Sequence, residues 1–269
     1  MKDFTDFIKD RKYLRNVSPR TIEFYEDCLR SVNKYGDFSE SGIKKWVIGQ
    51  REAGISARSV NTRITGVNAY LKWAGETHRA EFLKEENKPL AVYGTPAISK
   101  ILAFKPSARQ RRTHTLLLLT FDCGLRVSEA VGLRVSDLDF DNLLISVKGK
   151  GNKHRLVPMS QEMRKILWRF CTDRTGFVFS TRDGKALMRR NVLRDVKLLC
   201  KRIGVDVPRR SVHAARHTMA TDYIRQGGSV VKLQRILGHS NITTTMRYVH
   251  LQGQDLIEEH QKLGILGRR

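Results

Sequence analysis

The sequence has few cysteines, no long run of apolar residues and a shortage of acidic side chains. Its 269 residues include four cysteines, none of them in a Cys-x-x-Cys pair, which argues against a zinc knuckle and against a disulfide framework. We therefore expect reduced, mostly buried thiols. No apolar stretch approaches the ~20 residues that a membrane-spanning helix needs, and the charged opening MKDFTDFIKDRKYLRN does not fit a secretory signal. These absences predict a cytoplasmic protein without membrane contact.

The scarcity of acidic residues leaves a strongly basic chain. There are 50 Lys and Arg against 27 Asp and Glu, a formal net charge of +23. Residues 1–88 contain 17 basic and 13 acidic side chains, whereas residues 89–269 contain 33 and 14, so the excess lies in the C-terminal part. Such a charge favours nucleic acid as the partner and predicts binding that weakens with salt. An RNA-binding or ribosomal protein would have the same balance, so charge alone does not choose the function.

Helical periodicity dominates the chain and predicts a mainly α protein with a small β-sheet (α+β). In VSPRTIEFYEDCLRSVNKYG, Ser18 is a suitable N-cap, Pro19 follows in the first turn, and apolar residues recur at helical spacing. Three similar segments make residues 1–85 a small helical bundle. The stretch EENKPLAVYGTP interrupts the periodicity and predicts a linker at residues 86–96.

Residues 97–269 form the second predicted domain, and the chain is long enough for two. The stretch NLLISVKGKGNKHRLVPM predicts two strands around a Gly-rich basic turn. The helices predicted here include Gln161–Cys171, Arg190–Ile203, His213–Gln226, Val230–Leu237 and a last one that carries Tyr248.

The first of four polar stretches is CGLRVSEAVGL, where Arg126 follows a buried helix at a glycine. On position alone, an ordinary surface arginine is the commoner interpretation. A guanidinium fixed at the edge of a rigid core can also hold two phosphate oxygens through its planar fork. Arg126 is therefore a candidate phosphate ligand.

The second stretch is VKGKGNKHRLVP, in which Lys148, Lys150 and Lys153 surround two glycines. A solvated basic turn that contacts the DNA backbone is the plainer interpretation. A lysine that protonates a leaving oxygen is the catalytic one. The glycines lack the spacing of an ATP-binding P-loop, so no nucleotide cofactor is predicted.

The third stretch, SVHAARHTMATDYI, places His213, Arg216 and His217 on one helical face. A zinc site that also uses His239 is the rival interpretation. Alanine replaces the glutamate of His-Glu-x-x-His, however, and an arginine between the histidines would repel a cation. The set suits an anionic phosphate better, and we predict no metal.

The fourth stretch is ILGHSNITTTMRYVHL, in which His239 and Tyr248 are nine residues apart. One interpretation is a helix-turn-helix around Gly238, with Arg247 and the threonines on DNA and Tyr248 in the core. The other is catalytic. The four stretches together favour it, because arginines, a lysine, histidines and a tyrosine are the groups that break a phosphodiester without metal.

In order and spacing these motifs resemble those of the tyrosine recombinase (phage integrase) family, particularly its compact Xer-like members. The resemblance covers nearly the whole chain and implies a core-binding domain over residues 1–85 and a catalytic domain over residues 97–269. The matching residues are Arg126 in GLRVSE, Lys150 in GKGNK, His213 and Arg216 in HAARH, His239 in LGHS, and Tyr248.

The resemblance also implies a mechanism. Tyr248 would attack the scissile phosphate to give a 3′-phosphotyrosyl link and a free 5′-hydroxyl. Bond energy is conserved in that link, so no metal, ATP or other cofactor is implied. The remaining roles are transition-state stabilisation by Arg126, Arg216 and His239, general acid for Lys150, general base or proton shuttle for His213, support for Glu129 and His217, and DNA contacts for Lys148, Lys153 and Arg247.

The implied partner is double-stranded DNA with a specific core site. Family members typically act as four protomers on two sites, through a Holliday junction, so we expect a homotetramer on DNA at the nucleoid. The segment DLIEEHQKLGILG would be exchanged between neighbours or would cap its own subunit, and a partner recombinase or accessory factor is compatible with this scheme. Two rivals are a type IB topoisomerase-like enzyme, which religates the original strand, and a non-catalytic DNA-binding accessory protein.

Overall fold

The computed structural model describes residues 4–86, 90–149, 154–208 and 211–249. The chain divides into two compact units, residues 1–88 and residues 89–269. Within the described residues, helices dominate and the strands form one small antiparallel sheet, which confirms the predicted mainly α class. No helix in these ranges is long and apolar enough to cross a membrane.

The first unit is built of helices that begin at serine N-caps. The side chains of Ser18, Ser39 and Ser56 each accept a hydrogen bond from a backbone amide of the first turn. Its core contains the fully buried Phe7 and Trp46. The periodicity predicted these helices, which are α1 (Thr5–Lys9, continued by a π-helical turn at Asp10–Leu14), α2 (Pro19–Asn33), α3 (Glu40–Glu52) and α4 (Ala57–Trp73).

The second unit begins with a helix that the periodicity did not indicate. This α5 (Thr95–Ala103) starts inside the predicted linker, buries Ile101 alone, and has Pro96 in its first turn. The next helix, α6 (Ala108–Cys123), carries the buried run Leu116 to Leu119 through the core and ends at Gly124, whose φ of +63° suits glycine. The short α7 (Val127–Gly132) follows directly.

The sheet has the strand order β1-β2-β3 and is antiparallel throughout. Two of its strands were predicted, β2 (Leu144–Lys148) and β3 (His154–Pro158), with Ile145 paired to Val157. A third strand, β1 (Leu138–Asp139), is only two residues long, so it has no alternation that a sequence could display. The predicted lysine turn, residues 150–153, lies outside the described residues.

The described part of the unit has five further helices, and α6 lies among three of them. It contacts α8, α9 and α10. The four cysteines of the chain are free and buried, as expected. The predicted helix carrying Tyr248 is wrong, because the last described helix is four residues long and ends before that tyrosine. The five are α8 (Gln161–Cys171), α9 (Arg189–Arg202), α10 (Ser211–Arg225), α11 (Val230–Leu237) and α12 (Thr243–Met246).

Candidate active site

Side chains from distant parts of the second unit line one small cavity of about 170 Å³. It brings together five of the six residues predicted to be catalytic, together with His217 and Arg247. The sixth, Lys150, lies outside the described residues, as does Lys153. Lys148 is exposed at the end of β2. The lining residues are Leu90, Arg126, His213, Arg216, His217, His239, Thr244, Arg247 and Tyr248.

Arg126 is fixed at the start of α7 rather than free on the surface. Its backbone N–H donates to Glu129 Oε2 and its Nη1 donates to Glu129 Oε1, each at 2.8 Å. Its Nη2 lies 3.4 Å from the carbonyl oxygen of Gly238. The side chain remains 37% exposed. A guanidinium anchored on one edge and open on the other can still bind an anion in the cavity.

Arg216 is a buried cation on α10, only 4% exposed. Its Nη1 donates to the carbonyl of Gly124 at the end of α6, and its Nη2 donates to the carbonyl of Leu237 at the end of α11. Burial and the neighbouring Arg126 lower the pKa of Arg216 to about 10, so it remains charged at neutral pH. Two helix ends therefore hold a positive charge at the cavity wall.

His239 is a neutral imidazole in the free protein. It follows Gly238, which ends α11 with a φ of +63°. Burial, reinforced by the charge of Arg216, lowers the pKa of His239 to about 4. Its Nε2 is 3.1 Å from Arg216 Nη2, which can only donate, and its Nδ1 is 3.0 Å from Thr245 Oγ1. The proton therefore lies on Nδ1.

Tyr248 combines the two roles that the sequence left as alternatives. The residue is 2% exposed and belongs to an apolar cluster with Ala220, Leu233 and Leu237, yet it also lines the cavity. Its hydroxyl is 2.9 Å from His217 Nδ1. Burial raises the pKa of Tyr248, against the opposing effect of Arg216, so the phenol keeps its proton at neutral pH. A nucleophilic Tyr248 would need a base.

Arg155 was not among the predicted residues, although it lies in the quoted stretch VKGKGNKHRLVP. Both of its terminal nitrogens donate to Glu129, at 2.8 and 2.9 Å. The signal that could have found it is the alternation along β3, which puts Arg155 on the same inward side as the buried Val157. A charged residue on the inward side of a strand requires a buried partner.

Two of the histidines of the zinc site that was considered have other partners. His217 contacts the tyrosine hydroxyl, and His239 uses both ring nitrogens for Arg216 and Thr245. Among residues 4–86, 90–149, 154–208 and 211–249 there is no group of three or more His, Cys, Asp or Glu side chains that could hold a metal ion.

The fold is mainly helical, and in the site a tyrosine, two anchored arginines and a histidine face one anion-sized cavity. Together these features define the class of protein. The phage integrase family model matches residues 96–255. The chain is 30% identical to the tyrosine recombinase XerA of Thermococcus kodakarensis over 94% of this chain and 92% of that protein. It is 28% identical to the tyrosine recombinase XerC of Corynebacterium glutamicum, over 96% and 90%.

Solved structures share the fold at low identity. The Tn1549 transposon integrase in complex with transposon right end DNA matches 96% of this chain and 98% of that chain, with a TM-score of 0.77 and 22% identity. A lambda integrase dimer bound to a COC′ core site matches 93% and 76%, with a TM-score of 0.71 and 16% identity. The chain belongs to the phage integrase family and is a tyrosine recombinase, a DNA strand-transfer enzyme of site-specific recombination, as predicted.

Proposed function

We propose that Tyr248 of this recombinase cuts one strand of a double-stranded core site. Its oxygen forms a bond to the scissile phosphorus while the bond to the 5′-oxygen breaks, which leaves a 3′-phosphotyrosyl link and a free 5′-hydroxyl. The observation that carries the proposal is that Tyr248 lines the same cavity of about 170 Å³ as Arg126, Arg216 and His239. Attack by the 5′-hydroxyl of another strand then reverses the chemistry and rejoins the DNA.

The two arginines and His239 stabilise the charge on the non-bridging oxygens. Arg126 and Arg216 are anchored before DNA arrives, so they need no reorganisation as charge develops. His239 Nε2 accepts from Arg216 in the free protein. A phosphate oxygen that takes over this N–H would favour a proton on Nε2, which converts His239 into a hydrogen-bond donor.

Two protons move in the cleavage step. One proton passes to the leaving 5′-oxygen, and we propose Lys150 as its donor. We propose that Lys148, Lys153 and Arg247 contact the DNA backbone. The other leaves the Tyr248 hydroxyl. We predicted His213 as base or shuttle, and it lines the cavity, but His217 is the residue within 2.9 Å of that hydroxyl. We propose that His217 accepts the proton and that His213, also in the cavity lining, transfers it to solvent.

Substitution of His217 separates proton transfer from positioning. We expect His217→Ala to slow strand cleavage by about 100-fold, the lower end of the usual contribution of a general base. The rate should then rise in proportion to hydroxide concentration, because the phenol has no base. His217→Asn is the matched variant, since an amide placed near Nδ1 can hold the hydroxyl but cannot take its proton.

The measurement is single-turnover cleavage between pH 6 and 9. If His217→Asn cleaved like the wild type, His217 would only position the tyrosine. If both variants cleaved like the wild type, the contact in the free protein would have no part in catalysis.

The basic charge of residues 89–269 supports double-stranded DNA as the partner, and relatives of known structure were solved on core-site and transposon DNA. We propose four protomers on two core sites, at the nucleoid in the cytoplasm. Residues 1–85 would serve as the core-binding domain and residues 97–269 as the catalytic domain. The segment proposed for exchange between protomers, and the residues after position 249, lie outside the described residues.

The test of the proposed function is a covalent trap. The core site is first located by footprinting DNA beside the gene. A duplex with a nick near that site then loses its short 5′-hydroxyl fragment by diffusion after cleavage, so the protein stays attached. We expect an adduct in EDTA, mapped by mass spectrometry to Tyr248. Binding without any adduct would favour the accessory protein, and relaxation of supercoiled DNA at no particular site would favour the topoisomerase-like rival.

A further inference from the structure

Glu129 lies among three guanidinium groups, two of which belong to the cavity-lining Arg126 and Arg216, and its side chain is 6% exposed. It accepts one side-chain hydrogen bond from Arg126 and two from Arg155. Arg216 Nη1 lies 3.9 Å from its Oε2. Burial alone would raise the pKa of this carboxyl, but the bonds from Arg155 and Arg126 lower it to about 2. It is therefore a carboxylate at every pH at which the enzyme works.

A carboxylate in this place opposes phosphate binding unless another group neutralises it. At such distances in a buried site, a negative charge interacts strongly with both Arg126 and Arg216, and it would reduce their attraction for an anion. Arg155 approaches Glu129 with both arms of its fork, which is the strongest geometry for such a pair. Its side chain is 15% exposed and it is not among the residues lining the cavity. Its charge is therefore directed to Glu129.

Arg155 also touches the turn that carries His239. Its Nε donates to the carbonyl of Ile236 at 2.9 Å. A Cβ on Gly238 would lie 2.9 Å from Arg155 Cδ, so the glycine allows this close packing. In the sequence Arg155 comes five residues after Lys150. One side chain thus connects β3 with α7 and with the end of α11.

We propose that Arg155 is a positioning residue of the active site: it neutralises Glu129, so that Arg126 and Arg216 keep their charge for the scissile phosphate, and it fixes the turn before His239. This inference rests on the proposed function. It assigns to β3 a role in setting the charge of the site, beyond the residues that touch DNA.

The experiment compares single-turnover cleavage of the nicked duplex by Arg155→Met, Arg155→Lys and the double variant Arg155→Met with Glu129→Gln. We expect Arg155→Met to cleave about 30-fold more slowly, which is less than the usual loss of a donor that touches the developing charge, because Arg155 acts through Glu129. Arg155→Lys keeps the charge but loses the two-armed bond to Glu129 and the Nε bond to Ile236, so it should recover only part of the rate. The double variant should cleave about 5-fold faster than Arg155→Met, because the uncompensated carboxylate is gone. Arg164→Met is the matched control, since Arg164 is a half-buried arginine bonded to the carbonyl of Phe140, outside the cavity lining.

A second substrate separates a positioning role from a merely structural one. Replacing one non-bridging oxygen of the scissile phosphate with methyl removes its negative charge, so the arginines matter less. On this methylphosphonate, Arg155→Met should cleave less than about 5-fold more slowly than the wild type, whereas damaged folding would slow the cleavage of both substrates equally. A wild-type adduct together with equal rates for Arg155→Met and Arg164→Met would overturn this inference alone. A wild type without any adduct would overturn the proposed function and this inference together.

Discussion

Replacing Tyr248 with phenylalanine is expected to abolish the covalent protein–DNA adduct while DNA binding continues. The hydroxyl is the only atom lost, and it is the atom that we propose to bond to phosphorus. Losing a nucleophile of this kind costs at least about 10,000-fold in rate. Folding should change little, because the ring keeps its place in the apolar cluster and only the bond to His217, about 1 kcal/mol, disappears.

The matched control for this change is Tyr223→Phe. Tyr223 is a partly buried tyrosine that packs on the same apolar cluster but does not line the cavity. Adduct yield on denaturing gels, with binding measured in parallel by gel shift, gives the comparison. An adduct formed by Tyr248→Phe at the wild-type rate would mean that another residue attacks, and the proposed mechanism would be wrong.

Arg216→Lys is expected to have the second largest effect. The guanidinium reaches Gly124, Leu237 and His239 at once, whereas a lysine offers a single nitrogen at the end of a shorter reach. We expect cleavage to fall by about 100- to 1000-fold, the usual loss when one fixed donor at a developing charge is removed. The net charge is unchanged, so DNA binding should stay within about 3-fold of the wild type.

Stability provides the second readout for Arg216. Burial lowers its pKa, which shows that the folded site disfavours this charge more than water does. Arg216→Met should therefore slow cleavage strongly while lowering the free energy of unfolding only a little, although the carbonyls of Gly124 and Leu237 lose their donor. The control variant is Arg225→Lys, since Arg225 is exposed and lies on the same helix. Parallel losses of rate and stability would assign Arg216 to the fold alone.

The sequence predicted most of the cavity because its residues lie in short motifs at informative spacings. Arg126, Arg216, His239 and Tyr248 were each identified before the fold was known, and the structure places them around one cavity. The predicted extent of the last described helix was wrong, because α12 ends at Met246 after one turn. Tyr248 is held instead by packing against the end of α11.

Arg155 shows where such prediction ends. Its partner Glu129 is 26 residues away, on another element, so no local spacing connects the two. Contacts of this kind depend on how the sheet packs against the helices, and only a folded chain contains that information.

The anchoring of Arg216 affects when the active site can assemble during synthesis of the protein. Its acceptors lie 92 and 21 residues away along the chain, one at the end of α6 and one at the end of α11. The guanidinium can take its place only after both helices have docked, and α11 follows Arg216 in the chain. A polypeptide synthesised only as far as α10 therefore contains Arg216 but lacks one of the two carbonyls that hold it, and it also lacks Tyr248. During synthesis, assembly of the site is thus tied to completion of α11.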